Sequence, residues 1–188
     1  MTRIVAGSVG GRRIATPAGS VTRPTSDRVR EAVFSALEVA LGSWAGTAFL
    51  DLYAGSGAMG LEALSRGAAR ATLVEQHRRT AQVARDNAQL LGLRGAEVVR
   101  APVQRFLRSR RGGAQRYSAV FVDPPYSLRQ EPLAEVLTDL VGHDWLAGEA
   151  VVVVERSSRS PAPRWPEPLV PMRARRYGET TVWYGRAT

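Results

Sequence analysis

From Ala48 to Val154 the chain alternates short apolar runs with segments of helical periodicity, and this alternation restricts the fold more than any other feature. Ala48–Tyr53, Ala71–Glu75, Glu97–Arg100, Ser118–Val122 and Ala150–Val154 read as strands. Ala58–Ser65, Thr80–Leu91, a segment opening at Pro102, and Pro132–Val141 read as the helices between them. Gly92 stops the second of these, and Pro102 suits a first helical turn. The run Ala150–Val154 is apolar throughout, as a parallel strand covered on both faces must be. Upstream, a helix is predicted from Asp27 as N-cap, with Val29, Val33, Ala36, Leu37, Ala40 and Leu41 on one stripe and Gly42 at its end. Residues 157–171, rich in Ser, Pro and Arg, read as a loop. Met172–Tyr177 and Thr180–Tyr184 around Gly178-Glu179 predict a closing antiparallel hairpin. The predicted class is α/β, a mostly parallel sheet with helices on both faces.

A length of 188 residues predicts one main domain, 23–188, with a small appendage, 1–22. In the appendage, Ile4-Val5-Ala6-Gly7 and Arg12-Arg13-Ile14-Ala15 flank Gly10-Gly11, a basic hairpin too small for a core of its own. It must lean on the main domain or on a partner. The chain lacks a run of membrane-spanning length and an apolar secretory leader, so a cytosolic protein with no membrane partner is expected. The absence of cysteine excludes disulfides, thiolate metal sites and a thiol nucleophile. His77 and His143 stand too far apart for a metal site and read as solvated surface residues.

The net charge is +9, and all 26 basic residues are arginine. Residues 1–30, 94–116 and 156–176 hold six, seven and six arginines against one acid each, whereas 31–75 is acidic on balance. Basic segments around an acidic middle suit a polyanion held beside a ligand pocket. A solvated basic surface explains the composition equally well.

Gly55, Gly57 and Gly60 form a GxGxxG between a predicted strand and helix, and Glu75 ends the next strand 20 residues after Gly55. The glycines permit a tight turn and close approach of a ligand to the backbone, and the acid can accept hydrogen bonds from ribose hydroxyls. An adenosine-containing cofactor is indicated. Asp51, four residues before Gly55 at the strand tip, separates the possibilities. A carboxylate there suits the ammonium and sulfonium of S-adenosylmethionine better than the pyrophosphate of NAD, although it could also simply cap the loop.

Asp123-Pro124-Pro125-Tyr126 ends the fourth predicted strand, and in an open α/β sheet ligands lie beyond the carboxyl ends of the strands. A base amino group is a poor nucleophile because its lone pair is delocalised into the ring. A carboxylate and a backbone carbonyl accepting its two N–H bonds pin the nitrogen and stabilise the positive charge that develops on it. The prolines stiffen the loop, and Tyr126 offers a stacking face to an unpaired or flipped base.

With these motifs in view, the chain resembles the class I methyltransferases that act on base amino groups, and more closely the RsmD-type 16S ribosomal RNA (guanine-N2)-methyltransferases. The resemblance rests on Arg3–Gly7, Gly11-Arg12-Arg13, Thr22–Glu31, Asp51–Gly67 and Val120–Tyr126, and spans nearly the whole chain. It implies a Rossmann-like fold with a seven-stranded sheet, S-adenosylmethionine as cofactor, and methylation of guanine 966 of 16S RNA within the small subunit or an assembly intermediate, by a monomer. It implies Asp123, Pro124, Pro125 and Tyr126 at the target base. It places Asp51, Tyr53, Gly55, Ser56, Gly57, Glu75, Gln76 and Val103 at the cofactor, with Thr25 and Arg28 in a segment closing over it, and Arg3, Arg12, Arg13 and Arg23 on RNA. One departure stands out: Arg100-Ala101-Pro102-Val103 holds no acid for the adenine amino group, which leaves backbone and apolar contacts.

Glu155 could read the guanine edge or sit in a salt bridge. Trp44, Trp145, Trp165 and Trp183 read as packing residues. Arg108-Ser109-Arg110-Arg111 could touch phosphate or be solvated. Rival readings are a DNA adenine methyltransferase, an NAD(P)-dependent oxidoreductase, which leaves the tetrapeptide unexplained, and a non-catalytic RNA-binding assembly factor.

Overall fold

The computed structural model describes residues 2–17, 26–109 and 116–188. At the N-terminus, β1 (Thr2–Arg3) and β2 (Arg13–Ile14) pair antiparallel. The strands are shorter than the sequence pattern suggests, because the hairpin spends its polar groups on the main domain. The Val5 and Ala6 amides donate to the Glu62 carboxylate at 2.6 and 3.0 Å, and Ser8 and Val9 bond Ser65. Ile4 and Ile14 are buried in the same core as the first three helices. The hairpin thus leans on the main domain, as its lack of a core requires.

Helix α1 (Asp27–Leu41) follows, with Ser26 as N-cap rather than the expected Asp27. Ser26 is extended and its hydroxyl accepts the Val29 amide, which frees the Asp27 carboxylate to bind Arg3, Arg30 and Thr2. Then come β3 (Ala48–Leu52), α2 (Ala58–Ser65), β4 (Arg70–Glu75), α3 (Arg78–Leu91), β5 (Ala96–Arg100), α4 (Val103–Ser109), β6 (Tyr117–Val122), α5 (Gln130–Gly142), β7 (Leu146–Ser157), β8 (Leu169–Tyr177) and β9 (Thr180–Ala187). The seven longer strands form one sheet in the order β5-β4-β3-β6-β7-β9-β8, parallel through β7 and antiparallel beyond it.

Strand alternation distributes the core. Phe49, Phe121, Val151 and Val153 face α1, α2 and α3 with Phe34, Leu37 and Leu61. Leu50, Val120, Val122, Val152 and Val154 face α4 and α5 with Phe106, Leu133 and Leu137. Trp145 lies fully buried on this second face, its indole N–H donating to the Leu107 carbonyl at 3.0 Å. Strand β8 begins inside the stretch read as a loop. Its pairing of Leu169 with Ala187 is tertiary, and Pro171 is tolerated because β8 is the sheet edge. No helix among the described residues is long and apolar enough to cross a membrane.

Candidate active site

The carboxyl ends of β3, β4, β6 and β7 bring together Asp51, Glu75, Asp123 and Glu155. The β3 strand is buried along its length, then turns sharply, with Tyr53, Gly55 and Gly57 all in the left-handed region at φ 63°, 56° and 83°. The glycines of this turn have different reasons to be glycine. A Cβ on Gly57 would lie 2.6 Å from Leu73, and one on Gly60 2.8 Å from the same side chain, so both let α2 pack onto β4. Among the described residues, a Cβ on Gly55 would meet nothing within 4 Å. Gly55 therefore answers to its backbone conformation and leaves open space above the turn.

Asp51 lies one residue inside the end of β3, not at its tip, and is 2% exposed. One of its oxygens, Oδ2, accepts the Gly60 amide at 2.9 Å. The side chain therefore holds the turn, the capping role the sequence left open, within electrostatic reach of Glu75 and Asp123. Burial pushes its pKa up to about 7, against the lowering effect of the Gly60 bond, and the nearby Glu75 adds to the rise.

Glu75 closes β4. It accepts the Gly55 amide at 3.1 Å on one oxygen and the His77 amide at 2.8 Å on the other, so it braces the turn from below. Each oxygen keeps a second lone pair for an incoming hydroxyl. Gln76, next along, is exposed, and its amide meets the exposed His77 ring at 3.3 Å. Ser56 is half-buried with its carbonyl bound by Asn87, and Val103 is buried at the start of α4.

The tetrapeptide begins where β6 ends. The Asp123 amide approaches the Leu52 carbonyl at 3.4 Å, which ties the tetrapeptide to the residue that opens the glycine turn. Asp123 is half-buried, Pro124 is buried, Pro125 is exposed, and Tyr126, three residues after Asp123, is 52% exposed. The Leu128 amide donates to the Pro125 carbonyl at 2.8 Å and closes the loop. Burial raises the Asp123 carboxyl well above the ordinary carboxylate range, and the carboxylates of Glu155 and Asp51 push the same way. The result is a carboxylate more basic than usual in a concentration of negative potential. Among the described residues no group of acids and histidines is arranged to hold a metal ion.

Two side chains beside the site were not singled out in the sequence. Arg156, one residue beyond Glu155, is 6% exposed, and its Nη1 atom is buried without a hydrogen-bond partner among the described residues, as is the hydroxyl of nearby Tyr53. Burial pushes the Tyr53 hydroxyl up to about 12, with Arg156 opposing the rise. The signal was present as Glu-Arg directly after four valines. Asn87, 1% exposed, was legible as the polar residue on the Ala84–Leu91 stripe of α3.

Of the residues expected on RNA, Arg3, Arg12 and Arg13 are exposed on the hairpin. Arg3 pairs with Asp27 at 3.0 Å, and Arg12 donates to the Leu90 carbonyl at 2.8 Å. Arg28 is exposed on the first turn of α1. Thr25 and Arg23 lie outside the described residues, as do Arg110 and Arg111. Arg108 is occupied by Asp139 and Glu135 at 2.8 and 3.2 Å.

The family described as conserved hypothetical protein 95 matches residues 2–186. Ribosomal RNA small subunit methyltransferase D of Escherichia coli K12 is 39% identical over 164 residues, covering 87% of this chain and 79% of that protein. A solved structure from Escherichia coli superposes with a TM-score of 0.86 at 35% identity, covering 100% of this chain and 98% of the other. One from Thermus thermophilus gives 0.81 at 30% identity, covering 98% of each.

Proposed function

Because the chain belongs to the RsmD family of ribosomal RNA methyltransferases, we propose that it transfers a methyl group from S-adenosylmethionine to the 2-amino group of guanine 966 in 16S ribosomal RNA. The observation that carries this reading is the junction of the Asp123–Tyr126 loop with the glycine turn through the Asp123 amide and the Leu52 carbonyl.

The residues at the turn fit the cofactor. Asp51 supplies negative charge for a cationic methionine moiety beside the backbone of Gly55, Ser56 and Gly57. Glu75 has lone pairs for ribose hydroxyls, and the space at Gly55 is open. Gln76 and Val103 flank the position for adenine, which needs no acid at 100–103 if backbone and apolar contacts hold it. Bound there, S-adenosylmethionine supplies an electrophilic methyl group.

Asp123 and the Pro124 carbonyl accept the two N–H bonds of the guanine amino group, and Tyr126 stacks on the base. Held so, the nitrogen would present its lone pair to the methyl group that bound S-adenosylmethionine would supply, and the residues around it would fix the approach of the two. One proton leaves nitrogen, and the elevated proton affinity of Asp123 suits it to receive that proton before release to solvent. The four-carboxylate environment favours the positive charge that develops on nitrogen. The hairpin arginines Arg3, Arg12 and Arg13 meet phosphates, and the protein works as a cytoplasmic monomer on the small subunit or a precursor of it.

The test is a labelled-methyl assay on small-subunit particles from a strain lacking the enzyme, with deproteinised DNA alongside, followed by mapping of the modified nucleotide. Label on the 2-amino group of one 16S guanine, lost in Asp123→Ala, is the expected result. Label on DNA adenine, or RNA binding with no label at all, would overturn the proposal in favour of a DNA enzyme or an assembly factor.

A further inference from the structure

Asn87 lies in α3 on the stripe that carries Ala84 and Leu91 into the core. A buried amide needs partners, and this one finds them in two segments far from it in sequence. Its Nδ2 donates to the Ala15 carbonyl at 3.0 Å and to the Ser56 carbonyl at 2.9 Å, while Oδ1 accepts the Ala15 amide at 2.9 Å. Ala15 directly follows β2 and is the exit of the N-terminal hairpin. Ser56 stands between the left-handed glycines Gly55 and Gly57 of the turn. The Arg12 guanidinium ties the hairpin to the same helix through the Leu90 carbonyl.

We propose that Asn87 is a positioning residue that couples the two ends of the reaction, so that RNA on the hairpin and the cofactor on the glycine turn bind cooperatively. This rests on the reading that the hairpin meets RNA and the turn holds S-adenosylmethionine. The physical basis is that Asn87 has only two N–H donors and commits one to each segment. Displacing Ala15 or Ser56 strands a donor inside the core, which is unfavourable, so the position of each segment bears on the other. Phosphates held by Arg12 and Arg13 restrain Ala15, and through Asn87 they remove part of the ordering cost of Ser56. The cofactor does the reverse, as linkage requires.

The experiment measures the affinity of an RNA hairpin carrying the target guanine, by fluorescence anisotropy, with and without saturating S-adenosylhomocysteine as the unreactive probe. In the wild-type protein the probe should tighten RNA binding about fivefold or more, and RNA should tighten the probe by the same factor. In Asn87→Ala, and in Asn87→Asp, which keeps the acceptor for the Ala15 amide but loses both donors, the factor should fall to about one. A residue with only a structural role would weaken either affinity and leave their coupling factor unchanged. Should the variants fail to fold, amide exchange in the wild-type protein answers the same question, because the probe must then raise protection at the Ala15 amide. A wild-type factor of one, a factor preserved in folded Asn87→Ala, or Ala15 protection indifferent to the probe overturns the coupling and leaves the methyl-transfer reading standing. A wild-type protein that binds neither probe nor RNA overturns both.

Discussion

The Oδ2 atom of Asp51 accepts the Gly60 amide at 2.9 Å, so the carboxylate proposed to face the cofactor also holds the first turn of α2 against β3. The two roles place opposite demands on its charge. The native carboxyl titrates at about 7 and its ordinary value is 3.8, so the native state binds more protons than the unfolded chain between these values. Stability therefore falls as pH rises through that window, and the cost is fully present above it. Asp51→Asn keeps an acceptor for Gly60 and removes the charge. It should raise the urea midpoint at pH 8 with little effect at pH 4, while weakening S-adenosylmethionine binding by about tenfold or more at pH 8. In the wild-type protein cofactor affinity should climb with pH through about 7, and calorimetric titration should find that climb absent in Asp51→Asn.

Gly55 and Gly57 should separate binding from stability. Gly57→Ala combines a left-handed backbone at φ 83° with a Cβ 2.6 Å from Leu73, and should cost about 2–5 kcal/mol in urea unfolding. Gly55→Ala meets no neighbour among the described residues and carries the backbone penalty, about 1–2 kcal/mol. Its larger effect should be on cofactor affinity, because the added methyl occupies the open space above the turn. Equal destabilisation by the two would count against their different roles.

Glu62 is fully buried and accepts the Val5 and Ala6 amides while ion-pairing with Arg30 and Arg66, whose side chains are 0% and 6% exposed. Glu62→Ala leaves those cations and two amides short of a partner and should destabilise the protein by about 3–5 kcal/mol. Hydrogen exchange should show protection at Val5 and Ala6 lost first. If these amides stay protected in the variant, the hairpin is held by its other ties, the bonds to Ser65 and Asn87 and the burial of Ile4 and Ile14, rather than by Glu62.

Deleting the N-terminal segment is a poor test of RNA binding, since Ile4 and Ile14 belong to the core. Arg12→Ala with Arg13→Ala spares them. The double variant should bind target RNA more weakly and reduce the slope of log affinity against log salt by about 0.7 for each phosphate contact removed. Its affinity for S-adenosylhomocysteine alone should be close to wild type. An unchanged salt slope would show that these arginines do not meet phosphate.

Much of this molecule was written in local pattern. Alternation of apolar runs with helical stripes determined the α/β class and the sequence of elements. Ala58–Ser65 was bounded correctly because glycine punctuation and helical period are properties of neighbouring residues. The glycine turn, Glu75 and the Asp123–Tyr126 loop were likewise legible, each following a strand whose carboxyl end had to point the same way. Tertiary structure alone decided the rest. Strand order, the start of β8 at Leu169 and the capture of the hairpin by Glu62 depend on partners distant in sequence, which no local period encodes. The same holds for charge and for Asn87. Asp51 and Asp123 are ordinary acids in the sequence, and only burial beside other carboxylates raises their proton affinity. Asn87 becomes a junction only when α3 folds against both the hairpin and the turn, because a hydrogen bond is defined by distance in space.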